Sequence, residues 1–200
     1  MLVTNIWGVT RPAPSSGRLE RTRARISAAA LELFARNGYD GTTVAEIAAA
    51  AGVTEMTFYR HFGSKAQLLI DDPYDPLIAE AIARQPVDLT PLVRTARGIR
   101  ESWRALPITD EEPIRERIAL VAATPGLMPA IRASSAATEV AIADQLTLDG
   151  ADPDEAAIAA ASAMAALMTA LTRWAGRNDG STLTGAIHLA LDVLEVPHAR

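Results

Sequence analysis

Apolar residues recur along this chain with the period of a helix, and no segment alternates apolar and polar positions convincingly as a strand does. Thr43 followed by Glu46 forms a capping box that predicts a helix from residue 44, and Thr54 caps a second helix. Gly52 supplies the positive φ that the turn between them needs. Further helices are predicted at 65–72, 77–84, 90–106, 110–123, 125–148, 152–177 and 182–194, with prolines 73 and 76 interrupting the chain. The pattern therefore predicts an all-α protein.

The helix capped by Thr54 is predicted to carry more polar chemistry than core packing needs. Phe58 and Phe62 lie four positions apart and should point inward. The residues that are left facing outward are Glu55, Met56, Thr57, Tyr59, Arg60 and His61. Two short helices around a glycine turn, with such a face on the second, suit insertion into the major groove of DNA.

Lys65 is the only lysine in the chain and lies in the first turn of the next helix, after a Ser64–Gln67 capping box. A cation there opposes the helix dipole, whereas a docked phosphate would accept from both the ammonium and the free backbone N–H groups. A solvated surface lysine is the alternative. Beside two helices of this kind, we favour the phosphate contact.

The segment from about residue 21 to residue 69 resembles the DNA-binding domain of TetR-type transcriptional regulators, above all in its TFYRHFGSK ending. The resemblance implies contacts from Thr43 and Lys65 to phosphates, and from Tyr59 and His61 to the DNA backbone. It places Thr54, Glu55, Met56 and Thr57 against base edges or flanking phosphates, with Arg60 within reach of a base. Ala45 stands where some members have an arginine that reads a guanine, so base readout from the first of the two helices is not expected.

Three of these residues keep a second interpretation. Tyr59 packs its ring on the first helix and uses only its hydroxyl, which is compatible with a contact to the DNA backbone. Glu55 either stabilises the start of its helix electrostatically or accepts a bond from a cytosine amine. Met56 either covers a thymine methyl group or has no partner at all.

The N-terminal residues 1–17 show no periodicity and several Gly, Pro and Ser residues, which predicts a flexible arm. Arg18, Arg21, Arg23 and Arg25 follow it. They either approach the DNA backbone or a minor groove, or are solvated arginines at a helix start. We expect three parts: the arm 1–17, a helix-turn-helix domain 18–70, and a larger helical ligand-binding and dimerisation domain 71–200.

Charge divides the chain in the same place. The net charge is −5 overall, but residues 1–65 carry +3 and residues 66–200 carry −8, so the positive part coincides with the predicted DNA face. The absence of cysteine excludes disulfides, thiolate zinc sites and cysteine nucleophiles, and fits a reducing cytoplasm. The sequence shows no signal peptide, no catalytic motif and no metal or cofactor motif, so we expect a cytoplasmic protein that is not an enzyme.

The last two predicted helices are apolar beyond one face. The stretch 156–172 is uncharged over seventeen residues, slightly less than the ~20 that a membrane span needs, so we interpret it as a buried helix. Its many alanines allow close helix approach, which favours a four-helix interface between two copies over a monomeric core. A homodimer would also supply two recognition helices for a palindromic operator.

Three stretches of the predicted second domain resemble the ligand domain of mycofactocin-regulator-like (MftR-like) TetR proteins: DDPYDPLIAEAIARQP, RERIALVAATPGLMPAI and DPDEAAIAAASAMAAL. That resemblance implies acyl-coenzyme A-like effectors. An apolar pocket among the middle helices would involve Trp103, Ile118, Met128, Ile131, Met164 and Met168, with Arg100, Arg104 or Arg132 for an anionic head group. Core packing explains the apolar residues equally well. The sequence therefore predicts a ligand-responsive repressor, with a constitutive DNA-binding regulator or activator as the alternative.

Overall fold

The computed structural model describes residues 2–4, 10–12, 17–70, 75–105 and 110–195. They form two compact units, one comprising residues 1–71 and 107–130 and the other residues 72–106 and 131–200. The sequence division at residue 70 lies next to the first of these boundaries. The grouping of residues 107–130 with the first unit was not expected from the sequence.

The described residues are almost entirely helical, which confirms the predicted all-α class. The elements are two short strands, β1 (Leu2–Thr4) and β2 (Thr10–Pro12), and the helices α1 (Gly17–Asn37), α2 (Val44–Ala50), α3 (Glu55–His61), α4 (Lys65–Ile70), α5 (Asp75–Ala83), α6 (Pro91–Arg104), α7 (Glu112–Ala123), α8 (Met128–Leu148), α9 (Pro153–Ala175) and α10 (Leu183–Glu195), with a 3-10 turn at Pro125–Leu127.

The caps predicted at the starts of α2, α3 and α9 form as the sequence indicated. Thr43 and Glu46 make both bonds of the capping box before α2, and the Thr54 hydroxyl accepts from the N–H of Thr57 at the start of α3. Asp152 accepts from two backbone N–H groups at the start of α9. Gly52 has a φ of 62°, the left-handed conformation that glycine adopts at little cost.

Two local expectations were wrong. β1 and β2 pair antiparallel, with Val3 opposite Arg11, so a small ribbon lies within residues where no strand was predicted. A three-residue strand is too short to show the alternation on which strand prediction depends. Pro76 does not interrupt a helix but lies in the first turn of α5, where its missing N–H costs nothing. Residues 71–74, including Pro73, lie outside the described residues.

The second unit packs around residues from three of its helices, α5, α8 and α9: Ile82, Ile142, Leu146, Ala156, Ala159 and Ala160. Gly98 of α6 allows a close approach to α5, since a Cβ at this position would lie 2.9 Å from the Ile82 backbone. The Arg94 guanidinium is buried between these helices. It donates to Asp149 at 2.5 Å and to the Ile82 carbonyl at 3.3 Å, which stabilises a charge that would be costly to bury alone.

α9 packs against α6 and α10 within the same unit. Among the described helices it is the one long and apolar enough to cross a bilayer, a test that the core helix of a soluble protein also passes. Only 33% of its most apolar window is buried inside the chain. The predicted burial of α9 is therefore correct for one face, and the remaining apolar surface lies open.

Candidate nucleic-acid interface

α3 presents one face to the core of the first unit and the other to solvent. Phe58 and Phe62 are 0% and 2% exposed, and their ring centroids lie 5.7 Å apart. Met56 is 75% exposed and Tyr59 50%, although both are large residues that contain much apolar surface. Glu55 and the remaining polar residues of this helix lie on the same accessible side or at its edge. The structure therefore has the buried and the exposed face of α3 that the sequence predicted.

The hydroxyl groups of this surface are already engaged in local bonds. Thr43 and Thr54 cap their helices, and the Thr54 and Thr57 hydroxyls lie 3.0 Å apart. Arg60 donates from Nη2 to the Thr57 hydroxyl at 3.5 Å. In Glu46, the N–H and the hydroxyl of Thr43 lower the pKa of the carboxyl, which keeps the capping box ionised at neutral pH. These bonds restrict the side chains that face solvent.

Lys65 has an architectural role that the sequence did not indicate. Its Nζ donates to the carbonyl groups of Tyr39 and Thr42, both at 2.7 Å, and lies 4.2 Å from the centroid of the Tyr39 ring. The side chain thus holds the turn between α1 and α2 to the start of α4. An ammonium has three N–H donors, and these bonds use two of them.

Two arginines of α1 perform the same task at the other turns. Arg23 Nη1 donates to the His61 carbonyl at 2.6 Å, and its guanidinium lies 4.1 Å from the centroid of the Phe62 ring. Arg25 Nη2 donates to the Ala51 carbonyl at 2.7 Å and to the Gly52 carbonyl at 3.3 Å. Both bonds place a cation at the negative end of a helix, the favourable sense.

These two contacts join residues 38 and 26 positions apart, so no local sequence signal could have found them. Arg23 and Arg25 each bind protein carbonyl groups, a role that neither interpretation included, and their contact with DNA stays a prediction. The side chain of Arg18 is outside the described residues, and Arg21 is exposed.

His61 is partly buried at the end of α3, between Arg23 and Arg60. Burial and the positive charges of those two arginines lower the pKa of the His61 imidazole below its ordinary value. The unbound protein therefore holds a neutral imidazole at pH 7. A neighbouring anion would have the opposite effect on its pKa.

The residues predicted for an apolar pocket differ in their surroundings. Ile118 and Ile131 are buried, Trp103, Met164, Met168 and Arg100 are half-buried, and Met128, Arg104 and Arg132 are exposed. A cleft of about 350 Å³ in the second unit includes Arg100 and Arg104 but none of the predicted apolar residues. It is lined by charged and amide residues, unlike the predicted pocket.

Helices α2 and α3 form a helix-turn-helix whose second helix is accessible on one face. This arrangement is typical of one class of DNA-binding proteins. The family model of the bacterial regulatory proteins, tetR family, matches residues 26–71, and that of the MftR C-terminal domain matches residues 87–199, more than half of the chain. The protein therefore belongs to the tetR family and has an MftR-type C-terminal domain. The family and the subgroup predicted from the sequence are therefore confirmed.

The chain is also similar to part of several proteins described as HTH-type transcriptional regulators. The chain is 35% identical over 91 residues to the HTH-type transcriptional regulator TcmR of Streptomyces glaucescens, covering 44% of this chain and 40% of TcmR. It is 34% identical over 94 residues to SrpR of Pseudomonas putida, covering 47% of this chain and 40% of SrpR. The chain thus spans less than half of either relative.

Solved structures extend the similarity in fold to most of the chain. NalD of Pseudomonas aeruginosa, a repressor of a multidrug efflux pump, aligns with a TM-score of 0.57 at 21% identity, covering 88% of this chain and 94% of NalD. The repressor FadR of Thermus thermophilus, solved with lauroyl-CoA, aligns with a TM-score of 0.50 at 23% identity, covering 86% and 92%. At these identities the likeness shows the fold alone.

The contacts of Lys65 predict a loss of stability when its ammonium is removed. Lys65→Met should lower the free energy of unfolding by about 1–3 kcal/mol, because two partly buried carbonyl groups lose their donor. Urea unfolding followed by circular dichroism measures the change. Arg60→Met, an exposed cation on α3, is the matched control and should stay within about 0.5 kcal/mol of wild type. Equal midpoints for the two variants would contradict the architectural role.

Proposed function

We propose that this protein is a cytoplasmic repressor that binds a palindromic operator as a homodimer and is released by a small apolar effector. The observation that carries the proposal is the exposed face of α3, which presents a phenol, a guanidinium, a carboxylate and a thioether on a helix anchored by Phe58 and Phe62. Most of this face is free of packing contacts; the Tyr59 ring meets the Phe58 ring edge-on, but half of Tyr59 remains exposed. A helix held this way can enter the major groove without rearranging the core of its own unit.

Each residue of the face has a proposed role. Arg60 reaches a base edge, since its guanidinium is exposed and restrained by Thr57. Tyr59 and His61 bind backbone phosphates. Thr43 and Lys65 bind phosphates beside the face, with the third N–H of Lys65 available for this contact. The residues proposed to face base edges or flanking phosphates are Thr54, Glu55, Met56 and Thr57.

The proposed homodimer forms through α9 and α10. Ile158 on α9 is 67% exposed, and Leu189 and Val193 on α10 are 60% and 64% exposed. Leu189 and Val193 lie four positions apart and so share one face of their helix. The exposed face of α9 continues with Ala161, Ala165 and Thr169, which are small and uncharged. A second copy would cover this apolar surface, which water otherwise contacts.

The proposed effector binds the second unit and favours a dimer spacing that does not fit the operator. Effector binding then lowers the affinity for the operator, and operator binding lowers the affinity for the effector by the same factor. We propose an acyl-CoA-like molecule, following the resemblance of the second half and the lauroyl-CoA of FadR, a protein of the same fold. A constitutive DNA-binding regulator or activator without an effector is the second candidate, favoured because the cleft in this unit includes none of the apolar residues predicted for the pocket.

In vitro selection from random DNA tests the proposed function. The purified protein should enrich a palindrome whose half-sites lie about 34–36 Å apart, or a multiple of that distance, since two recognition helices read successive major grooves. Arg60→Ala should relax the selected sequence at one base pair of each half-site, with a cost of about 1–3 kcal/mol there. Met128→Ala, an exposed change outside the helix-turn-helix, is the control. Recovery of no common sequence would contradict operator recognition.

The position of His61 predicts a pH dependence of DNA binding. A bound phosphate raises the lowered pKa of His61, so binding takes up a proton. Operator affinity should therefore increase as the pH falls through the pKa of the bound state, and level off below that of the free state. Each pKa unit between the two states corresponds to about a tenfold change in affinity.

Fluorescence anisotropy with a labelled operator, between pH 8 and pH 5.5, measures this effect. His61→Gln keeps a side chain that can donate a hydrogen bond but removes the titration, so its affinity should vary less with pH. The same slope in both proteins would exclude a phosphate contact from His61.

Disrupting the proposed interface should separate the two copies. Leu189→Glu places two like charges at a symmetric apolar contact, and sedimentation velocity should then give the mass of a monomer. Leu148→Glu is the matched control, because Leu148 is also exposed (80%) but lies on α8. Dimers that persist in Leu189→Glu at wild-type affinity would place the interface elsewhere.

A further inference from the structure

Tyr39 lies in the turn between α1 and α2, and its ring contacts two side chains. The ring centroid is 5.3 Å from that of Phe34, a residue of α1 that is only 1% exposed. It is also 4.2 Å from Nζ of Lys65, the first residue of α4. The ring therefore connects the core of the first unit with the ammonium of the only lysine in the chain.

The turn itself fixes the position of Tyr39. Gly38 has a φ of 75°, and its N–H donates to the Phe34 carbonyl at 2.9 Å. Thr42 is buried; its hydroxyl donates to the Gly38 carbonyl at 2.9 Å, and its N–H donates to the Tyr39 carbonyl at 3.3 Å. All of these bonds lie within residues 34–42, so the turn holds the tyrosine in place without help from Lys65.

Neutral groups hold the Lys65 ammonium. Its Nζ donates to the carbonyl groups of Tyr39 and Thr42, both at 2.7 Å, and Lys65 has no ion pair in the part of the chain that the structure describes. Burial and the nearby carboxylate of Asp40 raise the pKa of the Tyr39 phenol, so the ring is uncharged at neutral pH. Lys65 therefore keeps its positive charge at a position that three contacts define.

We propose that Tyr39 is a positioning residue for DNA binding: its ring holds the Lys65 ammonium at the place where it meets a phosphate of the DNA backbone. The inference rests on the phosphate contact of Lys65 in the proposed function. A lysine carries a compact charge on a flexible four-carbon stem, so its geometry needs restraint. The π face of the ring attracts the cation without neutralising it. The third N–H of the ammonium then remains for the phosphate.

A carboxylate in place of the ring would not serve this purpose, because it would compete with phosphate for the ammonium. Glu46 is an acid on which Lys65 acts: the pKa of its carboxyl is lowered chiefly by the N–H and the hydroxyl of Thr43, and least by Lys65. One oxygen of Glu46 accepts from both groups of Thr43 at 2.8 Å. The capping box thus engages this carboxylate and leaves the ammonium for DNA.

The salt dependence of DNA binding by the full chain tests the inference, with a fluorescently labelled duplex of random sequence as the probe. Each phosphate contact adds about 0.9 to the steepness of log affinity against log salt concentration. Lys65→Met should therefore reduce the steepness by about one per subunit. Tyr39→Leu removes the π face, so it should also reduce the steepness and weaken binding about two- to fivefold. Tyr39→Phe keeps the π face and should behave as wild type.

Non-additivity separates positioning from a general loss of packing. In the Lys65→Met background, Tyr39→Leu should have no further effect on affinity or steepness, because the tyrosine acts through the lysine. Ile26→Val, a fully buried position of α1, is the stability control and should lower the free energy of unfolding without changing the steepness. Circular dichroism shows at which temperature every variant is folded, and binding is measured there.

Nuclear magnetic resonance reports the position of the ammonium without DNA. Because the chain has one lysine, protein that contains isotope-labelled lysine gives one set of ε-methylene signals. The ring current of Tyr39 should shift these signals upfield in wild type and in Tyr39→Phe. The shift should be lost in Tyr39→Leu.

Three outcomes would overturn the inference: ε-methylene signals at their random-coil position in wild type, wild-type affinity and steepness in Tyr39→Leu, or a further loss when Tyr39→Leu is added to Lys65→Met. Each of these leaves the proposed function intact if Lys65→Met reduces the steepness. Wild-type steepness in Lys65→Met would instead remove the phosphate contact of Lys65, and the inference with it. A wild type that binds no DNA would reject both.

Discussion

Cations that bind backbone carbonyl groups hold the helix-turn-helix in place. Arg23 binds the end of α3, Arg25 binds the turn after α2, and Lys65 binds the turn after α1. Short helices such as α2 and α3, with seven residues each, have little stability of their own. Long side chains from α1 and α4 compensate for this by satisfying carbonyl groups that the helices leave open. The position of α3 therefore depends on basic residues of other helices.

This arrangement changes how the positive charge of the N-terminal region is understood. Residues 1–65 carry +3, which suits DNA, but three of their cations are engaged with protein carbonyl groups. The same residues still contribute to the long-range field that attracts a polyanion, because a hydrogen bond to a neutral carbonyl does not remove their charge. The same side chains thus hold the helices in place and contribute to the positive field that attracts DNA.

The second unit separates apolar and charged surfaces. The exposed faces of α9 and α10 contain alanine, threonine and a few large apolar residues, whereas the cleft between α6 and α10 is lined by arginines and their acidic partners. α10 contributes to both, through Leu189 on one side and Glu195 on the other. In the proposed dimer, a displacement of α10 would change the subunit contact and the ion pairs of Arg100 together.

Local signals in the sequence were sufficient for the helices and for the outward face of α3. Caps such as Thr43–Glu46 and Asp152 act within a few residues, and the spacing of Phe58 and Phe62 fixes which side of a helix is buried. The contacts between segments that are far apart in sequence were decided by the tertiary structure. Lys65 and Arg23 bind carbonyl groups 23 to 38 residues away, and the cleft joins α6 to a carboxylate 95 residues further along the chain. Periodicity identifies a buried face but not its partner, because the partner is selected by the packing of the whole unit.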